Sequence, residues 1–380
     1  MKKLSLLLLV ISGSMYCYSQ NNINDSIATY IDTTQIIIPL KIGIDSVAAI
    51  SDTSSTLVLA ENQEAELAYN DGVMLFQNGD YNTAIYKFTE AIKLRNNFDK
   101  AYFNRASAHM QLQEFDLAYN DFDSCLILNP EKISALYYMG YISFYRQDYS
   151  KAAGFFDMAI AKGFSDANMY YLKGIMSFNN KSFEEAITNF SSSIKIDGNN
   201  FMPYHDRGSV YRLTDKNEQA ISDYSKAIEL NPKCYQAFNN RGSVYRMMKD
   251  YDKAIADYDK AIQLKEDYYI AINNRGVAKY ETGKYEEAID DFDEVLRIKK
   301  SYAFAYNNKG LAQYRLKQYA PAVESYTKAI QYDPNYGFAY LHRGSAQEML
   351  RKFDEACADW KKAGELGVDA AKNYVGICNE

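Results

Sequence analysis

From Ala65 the chain repeats itself every 34 residues, nine times without insertion or deletion, through Ala370. The repeats start at Ala65, Asp99, Ile133, Ala167, Phe201, Tyr235, Tyr269, Ala303 and Gly337. A strict period of this size means one small unit copied in series, each copy too small to bury its own apolar face and dependent on its neighbours. The period therefore overrides the division into roughly two or three globular domains that the length alone would suggest.

Two tiny residues recur within each unit. Place eight carries Gly72, Ala106, Gly140, Gly174, Gly208, Gly242, Gly276, Gly310 and Gly344. Place twenty carries Ala84, Ala118, Ala152, Ala186, Ala220, Ala254, Ala288, Ala322 and Ala356. Place twenty-four is always aromatic, from Phe88 to Trp360. Small residues facing an aromatic are what two closely packed helices require, so each unit is expected to be a helical hairpin and the fold all-α. Places seven and twenty-three lie equally far from a turn at fifteen, and antiparallel helices would bring them side by side. They carry Arg105 with Asp121, Arg207 with Asp223, Arg241 with Asp257, Arg275 with Asp291 and Arg343 with Asp359. The signs swap in Asp71 with Lys87, and both places turn apolar in Met139 with Phe155. Lys173 with Asn189 and Lys309 with Ser325 lack a complete pair. Such compensation predicts contact, at about 0.5 to 1 kcal/mol per partly exposed pair. It commits the Arg row to ion pairs rather than to a phosphate ligand.

Small residues at eight and twenty, aromatics at seventeen (Tyr81, Tyr149, Tyr251, Tyr285, Tyr319) and twenty-four, and Pro130, Pro232 and Pro334 near repeat ends resemble the tetratricopeptide repeat family over residues 65–370. The resemblance implies a right-handed superhelical solenoid of nine 34-residue hairpins, with the first helix of each lining an inner groove. Residues 371–380 are expected to form a capping helix, the repeat phase continuing from Val368 to Cys378. The run Asp359 to Gly367 also resembles the related Sel1-like repeats.

Lys2, Lys3 and the apolar run Leu4 to Ile11 read as a signal peptide over residues 1–19, which implies an exported protein, periplasmic or secreted and associated with the cell envelope. The run is far shorter than the ~20 residues that span a bilayer, so no integral membrane segment is expected. Tyr16 is too bulky for a lipoprotein signal at Cys17, which argues against a lipid anchor. Residues 20–64 are rich in Ser, Thr, Asp and Ile, with an extended-looking patch from Gln35 to Ile42, and read as a flexible linker or a docking segment. The formal charge is -7, or -9 if Lys2 and Lys3 are removed (40 basic against 49 acidic residues), and no basic block occurs, which argues against nucleic acid.

Three histidines in different repeats, and no HExxH, CxxC, phosphate-loop or nucleophile-elbow pattern, leave no basis for a metal, a cofactor or an enzyme. The groove remains as the site. Its C-terminal half carries the pairs Asn239 and Asn240, Asn273 and Asn274, Asn307 and Asn308, joined by Arg246, Tyr280 and Tyr314. An amide offers a donor and an acceptor, matching the N–H and C=O of an extended peptide without reading its side chains. This row resembles the asparagine ladder of glycosyltransferase-linked tetratricopeptide superhelices, to which Asn70 and Asn104 also correspond. Tyr138, Leu172, Asp206 and His342 interrupt it. The N-terminal half offers aromatics, among them Tyr137, Tyr141 and Tyr171. Two readings follow. One is a scaffold holding a protein or extended peptide; the other is a cell-wall or glycan-binding accessory that stacks sugars on those rings. Finally, the midpoint of Cys357 and Cys378 falls at the Gly367 turn, which sets them at equal height in two antiparallel helices. They form either a disulfide or two small buried thiols; both readings stay open at this level.

Overall fold

The computed structural model describes residues 43–45, 56–375 and 378, and among these every regular element is helical. The expected signal peptide lies outside the described residues. Of the expected linker or docking segment, 43–45 and 56–64 lie within them: the first stretch is non-helical, and the second departs from expectation. The first helix begins at Thr56 rather than Ala65, through a stretch of helix formers with no Gly or Pro (Leu57, Leu59, Ala60, Glu61).

With this one included, eighteen helices among the described residues form hairpin pairs whose phase matches the repeat, in two compact units. The first unit, within residues 33–198, pairs Thr56–Gln77 with Tyr81–Leu94, Asp99–Gln111 with Phe115–Leu128, Ile133–Tyr145 with Tyr149–Ala161, and Ala167–Asn179 with Phe183–Ile196. The second, from residue 199 onward, pairs Phe201–Leu213 with Asn217–Leu230, Tyr235–Met247 with Tyr251–Leu264, and Tyr269–Glu281 with Tyr285–Ile298. It continues with Ala303–Arg315 on Tyr319–Tyr332 and Gly337–Met349 on Phe353–Glu365. Within each unit the second helix of a hairpin also packs on the first helix of the next, so the apolar face each copy leaves open is covered by its successor.

The hairpin closes on its small residues. A Cβ added to Gly140 or Gly174 would lie 2.5 Å from the ring of Phe156 or Phe190, and one on Gly344 would lie 2.6 Å from Trp360. The turn between the helices puts place fifteen in the left-handed region in all nine repeats, from Gly79 to Arg351. Only Gly79 and Gly283 are glycine there, so the other seven repeats accept a conformation that costs L-residues roughly 1 kcal/mol.

Places seven and twenty-three meet as anticipated. Arg241 donates through Nε and an Nη to the two oxygens of Asp257 at 2.9 and 2.8 Å, and Arg105, Arg207, Arg275 and Arg343 repeat that fork. Lys87 reaches Asp71 at 3.6 Å. The incomplete pairs find other partners: Lys173 bonds Asp157 and Lys309 bonds Asp293, each in the preceding hairpin, while Asn189 and Ser325 bond Ser177 and Gln313 within their own hairpins. The Asp carboxylates are more buried than an exposed pair would be. Burial pushes Asp223 above the ordinary carboxylate range, and Arg207 offsets part of that rise.

The cap is not one helix. Gly367 takes a positive φ, Asp369–Ala371 is a 3-10 turn, and only Lys372–Val375 is α-helical. The reason is the surface being covered. Val368 and Ala371 sink beside Ala363, and Tyr374 stacks on Trp360 with ring centroids 4.8 Å apart.

Removing Arg241 would leave Asp257 nearly out of water without its charge partner. Arg241→Ala is expected to cost about 2 to 3 kcal/mol in urea unfolding, more than an exposed ion pair would. A double-mutant cycle with Asp257→Ala should give coupling above about 1 kcal/mol; additive single effects would contradict the contact.

Candidate functional site

The inner-face asparagines of the second unit bond one another across repeats. Asn274 Nδ2 donates to Asn239 Oδ1 at 3.0 Å, Asn239 Nδ2 to Asn240 Oδ1 at 3.1 Å, and Asn240 Nδ2 to His205 Nε2 at 3.1 Å. His205 Nδ1 in turn lies 2.8 Å from Asp206 Oδ1. Further along, Asn308 donates to Asn273 at 3.2 Å and His342 Nδ1 meets Asn307 Oδ1 at 2.9 Å. Burial holds His342 down to about 4, so its ring is neutral at pH 7. The rule behind these contacts is geometric. Place six of one repeat reaches place five of the repeat before it, 35 residues earlier in sequence, because first helices stack side by side.

These bonds correct the expected role of the row. Asn239, Asn240, Asn273, Asn307 and Asn308 are at most 3% exposed and join successive hairpins, so they are stacking residues as well as lining residues. Asn274 is half-buried. Arg246 is also buried and donates to Glu281 at 3.0 Å. Tyr280 and Tyr314 are half-buried, each edge-on or tilted against the aromatic five residues later. The rings of Tyr137, Tyr141 and Tyr171 are 2 to 6% exposed and lie against Phe156 and Phe164, Tyr145, and Phe190. A ring that stacks a sugar must offer a face to solvent, and these three spend theirs on packing. Cys357 and Cys378 form a disulfide with Cα atoms 5.7 Å apart, between the last full hairpin and the cap.

The first unit holds what the sequence left open. Residues 43–45 lie in non-helical conformation against its first three repeats. The Asp45 N–H donates to Asn104 Oδ1 at 2.9 Å, and the Asp45 carbonyl accepts from Tyr69 Oη at 3.2 Å and from Asn104 Nδ2 at 3.4 Å. One amide side chain thus reads both polar groups of one peptide unit's residue, while Asn104 Nδ2 also donates to Tyr69 Oη at 2.9 Å and holds that hydroxyl in place. Gly43 donates to Tyr138 Oη at 3.1 Å and its carbonyl accepts from Ser107 Oγ at 3.4 Å. Burial, and next the charge of Asp45, raises Tyr69 above the ordinary phenol range, so its hydroxyl keeps its proton. Ile44 packs on the apolar cluster that contains Tyr69, Val73 and Phe76.

Lys132 completes this arrangement. Its ammonium reaches both carboxylate oxygens of Asp45, the longer contact being 2.7 Å, and lies 4.4 Å from the ring centroid of Phe103. Sequence reasoning passed over it, although a signal was present. The last place is apolar or aromatic in Phe98, Cys234, Tyr268, Tyr302 and Tyr336 and polar in Asp166 and Asn200, and only Lys132 puts a cation there.

Family models of the tetratricopeptide repeat match residues 235–268 and 303–336, and 99–132, while a model described as TPR repeat matches 72–113, 208–249 and 278–317. Small glutamine-rich tetratricopeptide repeat-containing protein 2 of Saccharomyces cerevisiae is 36% identical over 90 residues, 24% of this chain. The match spans only 23% of that relative. Among solved structures, PilW, described as a widely conserved type IV pilus biogenesis factor, aligns with a TM-score of 0.51 at 16% identity, over 55% of this chain and 98% of its own. YrrB, described as a TPR protein with an unusual peptide-binding site, aligns with a TM-score of 0.41 at 17% identity, over 49% of this chain and 97% of its own. The likeness to PilW is one of fold.

Because Asn240, Asn274 and Asn308 tie neighbouring repeats together, replacing all three by Ala is expected to lower the thermal midpoint by several degrees. Each loss leaves a buried acceptor unmet, at about 1 kcal/mol or more. An unchanged midpoint in circular dichroism would mean that the amides serve a ligand and not the stack.

Proposed function

We propose that the chain, whose repeats match tetratricopeptide repeat models, is a non-catalytic scaffold holding an extended segment of a partner protein along the inner faces of its first helices. The observation that carries this reading is Asn104, which accepts from the N–H of Asp45 and donates to its C=O. Such a contact grips backbone, not side chain, and so suits a site that takes extended chain. The neighbouring hydroxyls of Tyr69 and Tyr138 supply the next partners along the same backbone.

The setting we propose is the cell envelope of an exported protein. Support comes from the Cys357–Cys378 disulfide, a bond that persists in oxidising compartments, and from the basic and apolar run at Lys2 to Ile11. Cys125 and Cys234 are free and buried, where burial raises both thiols, to about 12 and about 11, and keeps them unreactive.

The test uses a displayed library of unstructured ten-residue peptides against the full-length protein. Selected peptides are expected to lose about tenfold or more in affinity, across unrelated sequences, when Asn104 is changed to Ala, since the loss falls on the shared backbone. Circular dichroism of the variant at the assay temperature must show the parent helix content. Peptides that bind the folded variant as tightly as the parent, or a library from which nothing binds, would refute the reading.

A further inference from the structure

The segment at residues 43–45 is seated as a ligand would be, and its chemistry defines what the seat accepts. The Gly43 N–H and both backbone polar groups of Asp45 are met by side chains of the repeats, and the Gly43 carbonyl lies 3.4 Å from Ser107 Oγ, whose proton it shares with the Phe103 carbonyl at 2.9 Å. None of these contacts depends on which residue carries the backbone. The side chains are treated differently. A Cβ built on Gly43 meets no atom within 4 Å, so the seat does not itself demand glycine at that position. Ile44 enters an apolar cluster. Asp45 is 22% exposed and its carboxylate is clasped by Lys132, itself 19% exposed, through both oxygens.

We infer that the inner face of the first three repeats is a binding site for an extended peptide with an apolar residue followed by an acidic one, and that residues 43–45 are its resident, in-chain occupant. This rests on the scaffold reading above and goes beyond it, naming the ligand class and a competitor for the site. Lys132 is the specificity-determining residue. A half-buried ammonium has no aqueous shell to fall back on, and of the groups that could replace Asp45 only another carboxylate restores two charge-assisted bonds. The tether makes the occupant effective. An intramolecular ligand acts at a high effective concentration, so a free peptide sees only the fraction of sites from which residues 43–45 have left. A partner with the same apolar–acidic pair would displace the segment, and the freed N-terminal chain would then report that the site is filled.

The experiment uses full-length protein and a fluorescein-labelled peptide with the sequence of residues 40–48, followed by anisotropy. The parent is expected to bind it weakly. Asp45→Lys, which sets like charges together and vacates the seat, should bind it about tenfold or more tightly than the parent. Adding Lys132→Gln to Asp45→Lys should abolish that gain, and so should changing the aspartate of the peptide to asparagine. Lys132 lies in a loop between hairpins, so the variant folds; an unchanged thermal midpoint is the check. Equal affinity for parent and Asp45→Lys, or no binding by either, overturns the resident-occupant inference. Equal affinity for the aspartate and asparagine peptides overturns the acidic specificity. In both cases the library selection with Asn104→Ala still judges the scaffold reading separately.

Discussion

The close approach of two helices at one glycine decides the rest of the structure. Where place eight is glycine, a Cβ could enter only if the facing ring moved. The aromatic at place twenty-four lies where a Cβ would be, 2.5 to 3.1 Å from it in the glycine-bearing repeats. Only Ala106 carries a methyl there, and it is fully buried beside its own aromatic partner Phe122. Because that contact fixes how near the two helices lie, it also fixes which residues face each other along them. The Arg–Asp fork at seven and twenty-three is one consequence, and the left-handed turn at fifteen is another. The fork lies at the level of the glycine and helps lock the register, while the aromatic supplies most of the buried area.

Stacking of hairpins has its own recurring contact between successive first helices. Place six meets place five of the previous repeat in Asn104 with Tyr69, Asn240 with His205, Asn274 with Asn239, Asn308 with Asn273 and His342 with Asn307. Each pair sets polar groups face to face, while Arg212 Nε, Arg246 Nε and Glu348 Oε2 on the same set of helices are buried without a hydrogen-bond partner among the described residues. One row of residues can serve both stability and recognition. An amide has more hydrogen-bonding positions than its neighbour consumes, and Asn104 uses the remainder on the backbone of Asp45.

Much of the fold was legible in the sequence because it is set by residues a fixed distance apart. Gly72 and Phe88, Arg241 and Asp257, and Cys357 and Cys378 can each be placed by counting from a turn. The cap could not be read so well, since Val368, Ala371 and Tyr374 follow the shape of Trp360 and not the 34-residue phase. The site was legible only in part. Asn104 stood in the expected row, but Tyr137, Tyr141 and Tyr171 turned inward against Phe156 and Phe164, Tyr145, and Phe190. The bond between places five and six was missed because it joins residues 35 apart, one more than the period, and a search at the period itself does not pair them. Lys132 was missed because its partner, Asp45, lies in a stretch with no repeat to count against.

The central claim is that the repeats grip extended chain by its backbone, through Asn104, at a seat filled by residues 43–45. Amide hydrogen exchange at Asp45, followed by NMR in the full-length protein, tests it most directly, because that N–H has Asn104 Oδ1 as its partner. The account predicts protection of the Asp45 amide in the parent and its loss in Asn104→Ala, with the amides of the helix Ile133–Tyr145 unaffected. Exchange at the rate of an unstructured peptide in the parent would contradict it.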